Sequence, residues 1–131
     1  MQRDATAPDS VHPPEPGAAK RAFFRIMQAW DVGDAEARVL LGAPSRSTFY
    51  NYKRGEGGAL NADTLERISY VLGIYKALKL LLPNPQQADG WMKRPNAAFG
   101  GRSALEHALG GKVVDLAAVR AYLDAVRGHG L

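Results

Sequence analysis

Trp91-Met92-Lys93-Arg94-Pro95-Asn96-Ala97-Ala98-Phe99-Gly100-Gly101-Arg102-Ser103-Ala104-Leu105-Glu106 is the stretch on which the organisation of the chain turns. A large aromatic and a basic pair run into a Pro-Asn stop, a second aromatic and a Gly-Gly hinge. Ser103, with Glu106 three residues on, then reads as a capping box that restarts a helix. A loop this rich in anchors and hinges, set between two helices, typically holds one shape and touches a partner.

Upstream, Asp63 followed by Glu66 reads as a second capping box, opening the longest helix over residues 64–82. Its apolar positions are Leu65, Ile68, Val71, Leu72, Ile74, Tyr75, Leu78, Leu81 and Leu82. These are too many for a helix with one wet side, so it is expected to touch both halves of the chain or a partner. Pro83-Asn84-Pro85 stops it, and residues 86–93 form a short helix leading into the opening stretch. Downstream, a helix over 103–109 ends at Gly110-Gly111. Asp115 is then expected to cap a last helix, 116–127, with Val119, Tyr122, Leu123 and Val126 inward. Lys112-Val113-Val114 is too short to be a strand alone.

Phe23, Phe24, Ile26, Met27 and Trp30 mark one face of a first helix over residues 20–32. Gly33 ends it, and Asp34 is placed to cap a short helix over 35–41 with Ala37, Leu40 and Leu41 inward. Gly42-Ala43-Pro44 turns the chain, and Ser45 caps a further helix reaching Lys53 before Gly55, Gly57 and Gly58 break it. Residues 1–19, with Pro8, Pro13, Pro14 and Pro16, cannot bury a face and read as a flexible tail. The expectation is an all-α chain: a helix-turn-helix bundle over 20–63, joined by the long helix to a small helical domain over 64–131.

Two short helices around a Gly-containing turn, followed by a Gly-rich release, outline a helix-turn-helix. With Phe49 in the core, the opposite face of the second helix carries Ser47, Asn51 and Arg54, flanked by Arg46, Tyr50 and Lys53. Arg can pair with guanine and Asn with adenine, while Ser, Tyr and Lys can fix phosphates. No acidic residue falls inside this helix. A solvated polar face on a three-helix unit is the competing explanation.

Composition narrows the remaining choices. Net charge is +4, and residues 20–82 hold ten bases against six acids, so the excess lies in the middle of the chain. There is no cysteine, hence no disulfide or thiolate metal site. No run approaches the ~18 apolar residues of a membrane span, and the start lacks an apolar signal core, so the cytoplasm is the expected location. His12, His107 and His129 are scattered, with no metal-binding spacing, and no P-loop or nucleophile elbow is present. No catalytic group, metal or cofactor is expected.

Residues 91–109 resemble the W-(L/M)-x-x-P-N-x-x-x-G-G-R-S-x-L-E segment of the toxin-binding domain in Xre/MbcA/ParS-type antitoxins. Ala104 departs from the pattern, standing where that family carries proline. The preceding residues, notably Leu65-Glu66-Arg67-Ile68-Ser69 and Gly73-Ile74-Tyr75-Lys76-Ala77-Leu78, are also similar, so the likeness spans about residues 20–127 and is most specific over 64–109.

The resemblance implies a type II antitoxin whose partner is a RES-domain toxin, an enzyme acting on NAD, neutralised by blocking its active-site cleft. Positions implied for toxin binding are Trp91, Lys93, Arg94, Asn96, Gly101 and Arg102, with Tyr122, Arg127, Gly128 and His129 of the last helix and C-terminus as a plug. For Trp91 and Phe99 taken alone, a core role is the favoured reading. The resemblance further implies a homodimer that binds its own operator DNA. The alternatives are a stand-alone helix-turn-helix regulator with a C-terminal dimerisation or sensing domain, and an adaptor whose helix-turn-helix is vestigial.

Overall fold

A computed structural model describes residues 15–127 of the chain. Helix α1 (Pro16–Ala29) begins four residues before the expected start. Pro16 stands in the first turn, where its missing N–H is no loss, and Ala19 is fully buried. Residues 16–19 therefore belong to the helix and not to the tail; small alanines carry little apolar signal. Met1 to Pro14 lie outside the described residues. Ala19, Phe23, Ile26, Met27 and Trp30 form the buried stripe of α1.

Helix α2 (Asp34–Leu40) buries Ala37 and Leu40. Its cap is Gly33, not Asp34, which is already helical and uses its carboxylate to hold Lys53 at 2.7 Å. The turn that follows takes Gly42 to a φ of 93° and Ala43 to 58°. Gly42 is required twice over: its φ is left-handed, and a Cβ there would sit 2.9 Å from Arg67 Nε. Ser45 caps α3 (Arg46–Lys53) by accepting the Thr48 N–H at 3.2 Å, as expected, and Phe49 and Tyr52 turn inward.

The long helix α4 (Ala62–Leu81) is capped by Asn61, whose side chain accepts the Thr64 N–H at 2.8 Å. The expected box on Asp63 is not formed; Asp63 lies within the first turn and pairs with Arg67 at 2.9 Å. The apolar girth of α4 has a direct cause. It packs against α1 on one side and against α7 (Val113–Val126) on the other. Ile68, Val71, Ile74, Ala77 and Leu78 are buried along it.

Asn84 caps α5 (Pro85–Gly90), which tightens into a 3-10 turn over Trp91–Lys93 where one continuous helix was expected. The chain must leave the helix because Arg94 precedes Pro95 and takes the extended backbone that a proline imposes, φ −77° and ψ 140°. Helix α6 (Ala104–Ala108) starts on the expected capping box, with Glu106 N–H on Ser103 Oγ at 3.0 Å and Ser103 N–H on Glu106 Oε1 at 2.8 Å. Helix α7 begins three residues before the expected start. Lys112 is its cap residue, and Asp115, at the third helical position, accepts the Lys112 N–H at 3.0 Å. Leu116, Val119 and Leu123 are its buried face.

One core cluster runs through both halves, from Ala19 and Phe23 to Val119 and Leu123. The architecture is all-α: a helix-turn-helix unit and a C-terminal helical unit sharing α4.

Candidate functional site

Two surfaces carry the residues singled out in the sequence. On the first, α3 turns Arg46, Ser47, Tyr50, Lys53 and Arg54 to solvent, with Asn51 half-buried. Four of the six are already engaged, Ser47 through its hydroxyl, which lies 3.3 Å from that of Ser45. Lys53 pairs with Asp34, and the Arg54 guanidinium donates to the Asn51 carboxamide while lying 3.7 Å from Glu56. Arg46, Ser47 and Tyr50, which is 41% exposed, lie on the outer face of the helix.

The helix is held rigidly from behind. Phe49 meets Phe24 of α1 edge-on at 5.4 Å. Behind α3, the buried Lys20 donates to the carbonyls of Glu56 and Gly58 at 2.8 and 2.7 Å, with its ammonium 5.1 Å over the Tyr52 ring. The glycine-rich release after α3 is thus pinned to α1.

The second surface is the opening stretch, which folds as a hairpin-like loop. An antiparallel bridge joins Pro95 to Ser103. Asn96 is its hub: its N–H donates to the Arg102 carbonyl at 3.0 Å, and its own carbonyl accepts from Phe99 and Gly101, each at 3.0 Å. Its side chain accepts the Ala98 N–H at 2.9 Å. Gly100 and Gly101 supply φ values of 69° and 84° to close the loop. A 3-10 turn over Ala97–Phe99 forms its tip.

An aromatic layer seats the loop on α6 and α7. Trp91 stacks on Tyr122 at 6.1 Å, Tyr122 meets Phe99 at 5.6 Å, and Phe99 lies 5.0 Å from His107. Trp91 is 7% exposed and Met92 is fully buried beside it. Trp91 thereby supports the loop from below, in keeping with its core reading.

The cations stand around this base. Lys93 reaches the Asp31 carbonyl and lies 3.4 Å from its carboxylate, Arg94 donates to the Gln87 carbonyl at 2.8 Å, and Arg102 donates to the Glu106 carbonyl at 3.1 Å. All three are exposed, as is Arg127 near the end of α7. Gly128 and His129 lie outside the described residues. The Glu106 carboxyl is held below its ordinary value of 4.5, chiefly by the Ser103 N–H it accepts. Lys79, whose hydrogen bond to Asp89 raises its amine above the ordinary value, braces α4 against α5 at 2.9 Å.

Comparison with known proteins matches both halves of the chain. Residues 11–73 match the Antitoxin Xre-like helix-turn-helix domain, and residues 77–128 match the Antitoxin Xre/MbcA/ParS C-terminal toxin-binding domain. The chain belongs to the Xre/MbcA/ParS antitoxin family. The uncharacterized protein y4oB of Sinorhizobium fredii is 50% identical to it over 111 residues, 85% of each chain.

This antitoxin therefore has a toxin as its partner, and α3 and the loop fall one in each matched domain. The two matches meet inside α4, the helix that both halves share. No helix among the described residues is long and apolar enough to cross a membrane.

Two organising residues escaped the sequence reading. Arg67, 8% exposed, binds Asp63 at 2.9 Å and the Gly111 carbonyl at 2.9 Å, and its guanidinium fills the space above Gly42. It joins the helix-turn-helix turn to the turn that precedes α7. Lys20 is the other. The Asp63–Arg67 spacing of four was the one available sign of the first; the partners of the second lie 36 and 38 residues away, and nothing local marked it.

Proposed function

We propose that this antitoxin neutralises a RES-domain toxin that consumes NAD, placing the 91–106 loop and the C-terminal end of α7 over the toxin's active-site cleft. We also propose that it acts as a homodimer that represses its own operon through α3. The observation that carries the neutralisation reading is the loop itself. Its backbone is satisfied internally around Asn96, it is bolted to α7 by the Trp91–Tyr122–Phe99 layer, and it presents Lys93, Arg94 and Arg102 at its rim. A rigid, cation-rimmed loop loses little entropy on docking and can grip carboxylates bidentately through its arginines. The DNA reading is supported by the exposed basic and hydroxyl groups of α3 and by the rigid seat beneath it.

The test is a tagged pull-down from the native cell, followed by separation of any bound protein and assay of its NAD consumption. A stoichiometric partner whose NAD loss stops when the antitoxin is returned supports the reading. Arg94→Glu with Arg102→Glu, both exposed, should then abolish inhibition while leaving helicity unchanged. A partner that consumes no NAD leaves the antitoxin assignment standing and removes the RES toxin. A protein that elutes alone as a DNA-binding dimer supports the stand-alone regulator instead.

A further inference from the structure

We infer that the cleft between α1, α2 and α3 is a second DNA contact, in which Arg21 and Arg25 of α1 bind a backbone phosphate beside the recognition helix. This rests on the operator-binding reading above and extends it to a helix that the helix-turn-helix pattern leaves out. The cleft has a volume of about 410 Å³ and is lined by Arg21, Arg25, Gln28 and Lys53 over a floor that includes Phe24 and Met27. Its one carboxylate, Asp34, is taken by Lys53 at 2.7 Å. Arg21 and Arg25, both exposed, are left to set the sign of the cleft.

Position ties this cleft to α3. Arg46, Tyr50 and Lys53 are spaced four and three residues apart, which puts them on one stripe of the helix. Lys53, at the end of that stripe, also lines the cleft, and Arg21 and Arg25 are one helical turn apart on the facing wall. A helix lying in the major groove has phosphates at its margins, so cations on the next helix along are where a backbone contact is made. The two helices are also packed directly together. Phe24 packs against Phe49, and Lys20, adjacent to Arg21, is fixed to the loop after α3. The contact is to phosphate and carries no sequence information.

The experiment uses the full chain and the duplex immediately upstream of its own coding frame, with a scrambled duplex of equal composition as the reference. Binding is titrated against salt for the wild type, for Arg21→Gln with Arg25→Gln, and for Arg127→Gln as an exposed charge loss at the far end of α7. Each phosphate contact removed should flatten the slope of log K against log salt by about 0.9 and weaken binding about eightfold at ~0.1 M salt. Both duplexes should be affected equally, so the preference for the upstream duplex is unchanged, while Arg127→Gln keeps the wild-type slope. A double variant with wild-type slope and affinity on a duplex that the wild type binds overturns the inference alone. A wild type that binds neither duplex overturns the operator reading, and this inference with it.

Discussion

Replacing Arg67 should cost more stability than its visible ion pair accounts for. Arg67→Met keeps the aliphatic stem and removes the guanidinium. Its salt-bridge partner Asp63 is 57% exposed, so that pair contributes at most about 1 kcal/mol. The hydrogen bond to the Gly111 carbonyl at 2.9 Å is different in kind. It is made by a charged donor whose side chain is 10% exposed, and such bonds contribute about 1.5–3 kcal/mol. The expected loss for Arg67→Met is thus about 2–3 kcal/mol, and for Arg67→Ala, which also opens space under Gly42, about 3–4 kcal/mol. For a chain of this size each kcal/mol moves the melting temperature by about 3–5 °C, so Arg67→Met should melt about 6–15 °C below the wild type. Asp63→Ala is the comparison and should cost under about 1 kcal/mol. Urea titrations of the three proteins would settle the ordering. If Asp63→Ala cost as much as Arg67→Met, the surface pair would be the source of stability and the link to Gly111 would be idle.

Three other perturbations test the same physical picture. Lys20→Met should lose about 2–3 kcal/mol through its two carbonyl acceptors, and amide exchange at Glu56 to Leu60 should accelerate well before that of α4. Gly101→Ala, at a φ of 84° with open space around the Cβ, should cost about 1 kcal/mol from backbone strain alone, whereas Gly90→Ala, with a φ of −85° and equally open space, should gain ~0.5–1 kcal/mol; paired thermal melts would show the opposite signs. Glu106 stabilises the fold while ionised, because the Ser103 N–H lowers its pKa below the ordinary 4.5; that contribution is complete above 4.5 and fades as pH falls through the lowered folded value. Unfolding titrations across that range should therefore show Glu106→Gln losing less stability on acidification than the wild type.

What could be read from the chain beforehand follows a simple physical division. Signals completed within a few residues were legible. The Ser103–Glu106 box, the Ser45 cap and the Pro83-Asn84-Pro85 stop each depend only on neighbours, and each stands as expected. The width of the apolar face on α4 was legible as well, because it demanded two packing partners and α1 and α7 supply them. Caps were misplaced where two candidates lay close together: Asn61 against Asp63, Gly33 against Asp34, Lys112 against Asp115. In each case the acidic residue sits inside the first turn, where it also favours the helix dipole, and its sequence signature is that of a cap. Lys20 and the Gly111 link of Arg67 were illegible because those acceptors are backbone carbonyls at least 36 residues away. Carbonyls are present at every residue and mark no position.

The candidate surfaces show the same division and add one consequence. Periodicity put the six chosen residues of α3 on its accessible side, but it could not show that Ser47, Asn51, Lys53 and Arg54 are tied to partners on the protein itself. On the loop, Lys93, Arg94 and Arg102 all donate to backbone carbonyls of their own chain. The bonds of Arg94 and Arg102 are exposed and single, and a carboxylate offered by a docking partner makes a stronger, charge-assisted and often bidentate bond. The internal bonds therefore hold long, rotamer-rich side chains near one geometry before binding, when each would otherwise cost about 0.5–1.5 kcal/mol to immobilise, and they yield to the partner without leaving a buried group unpaired. On this reading the loop cations are stored in place rather than consumed. Arg94→Lys is the discriminating substitution: charge is kept and the planar fork is lost, so inhibition of the toxin should weaken by about tenfold or more while the melting temperature stays put. Equal inhibition by Arg94 and Lys at this position would mean that charge alone is used there.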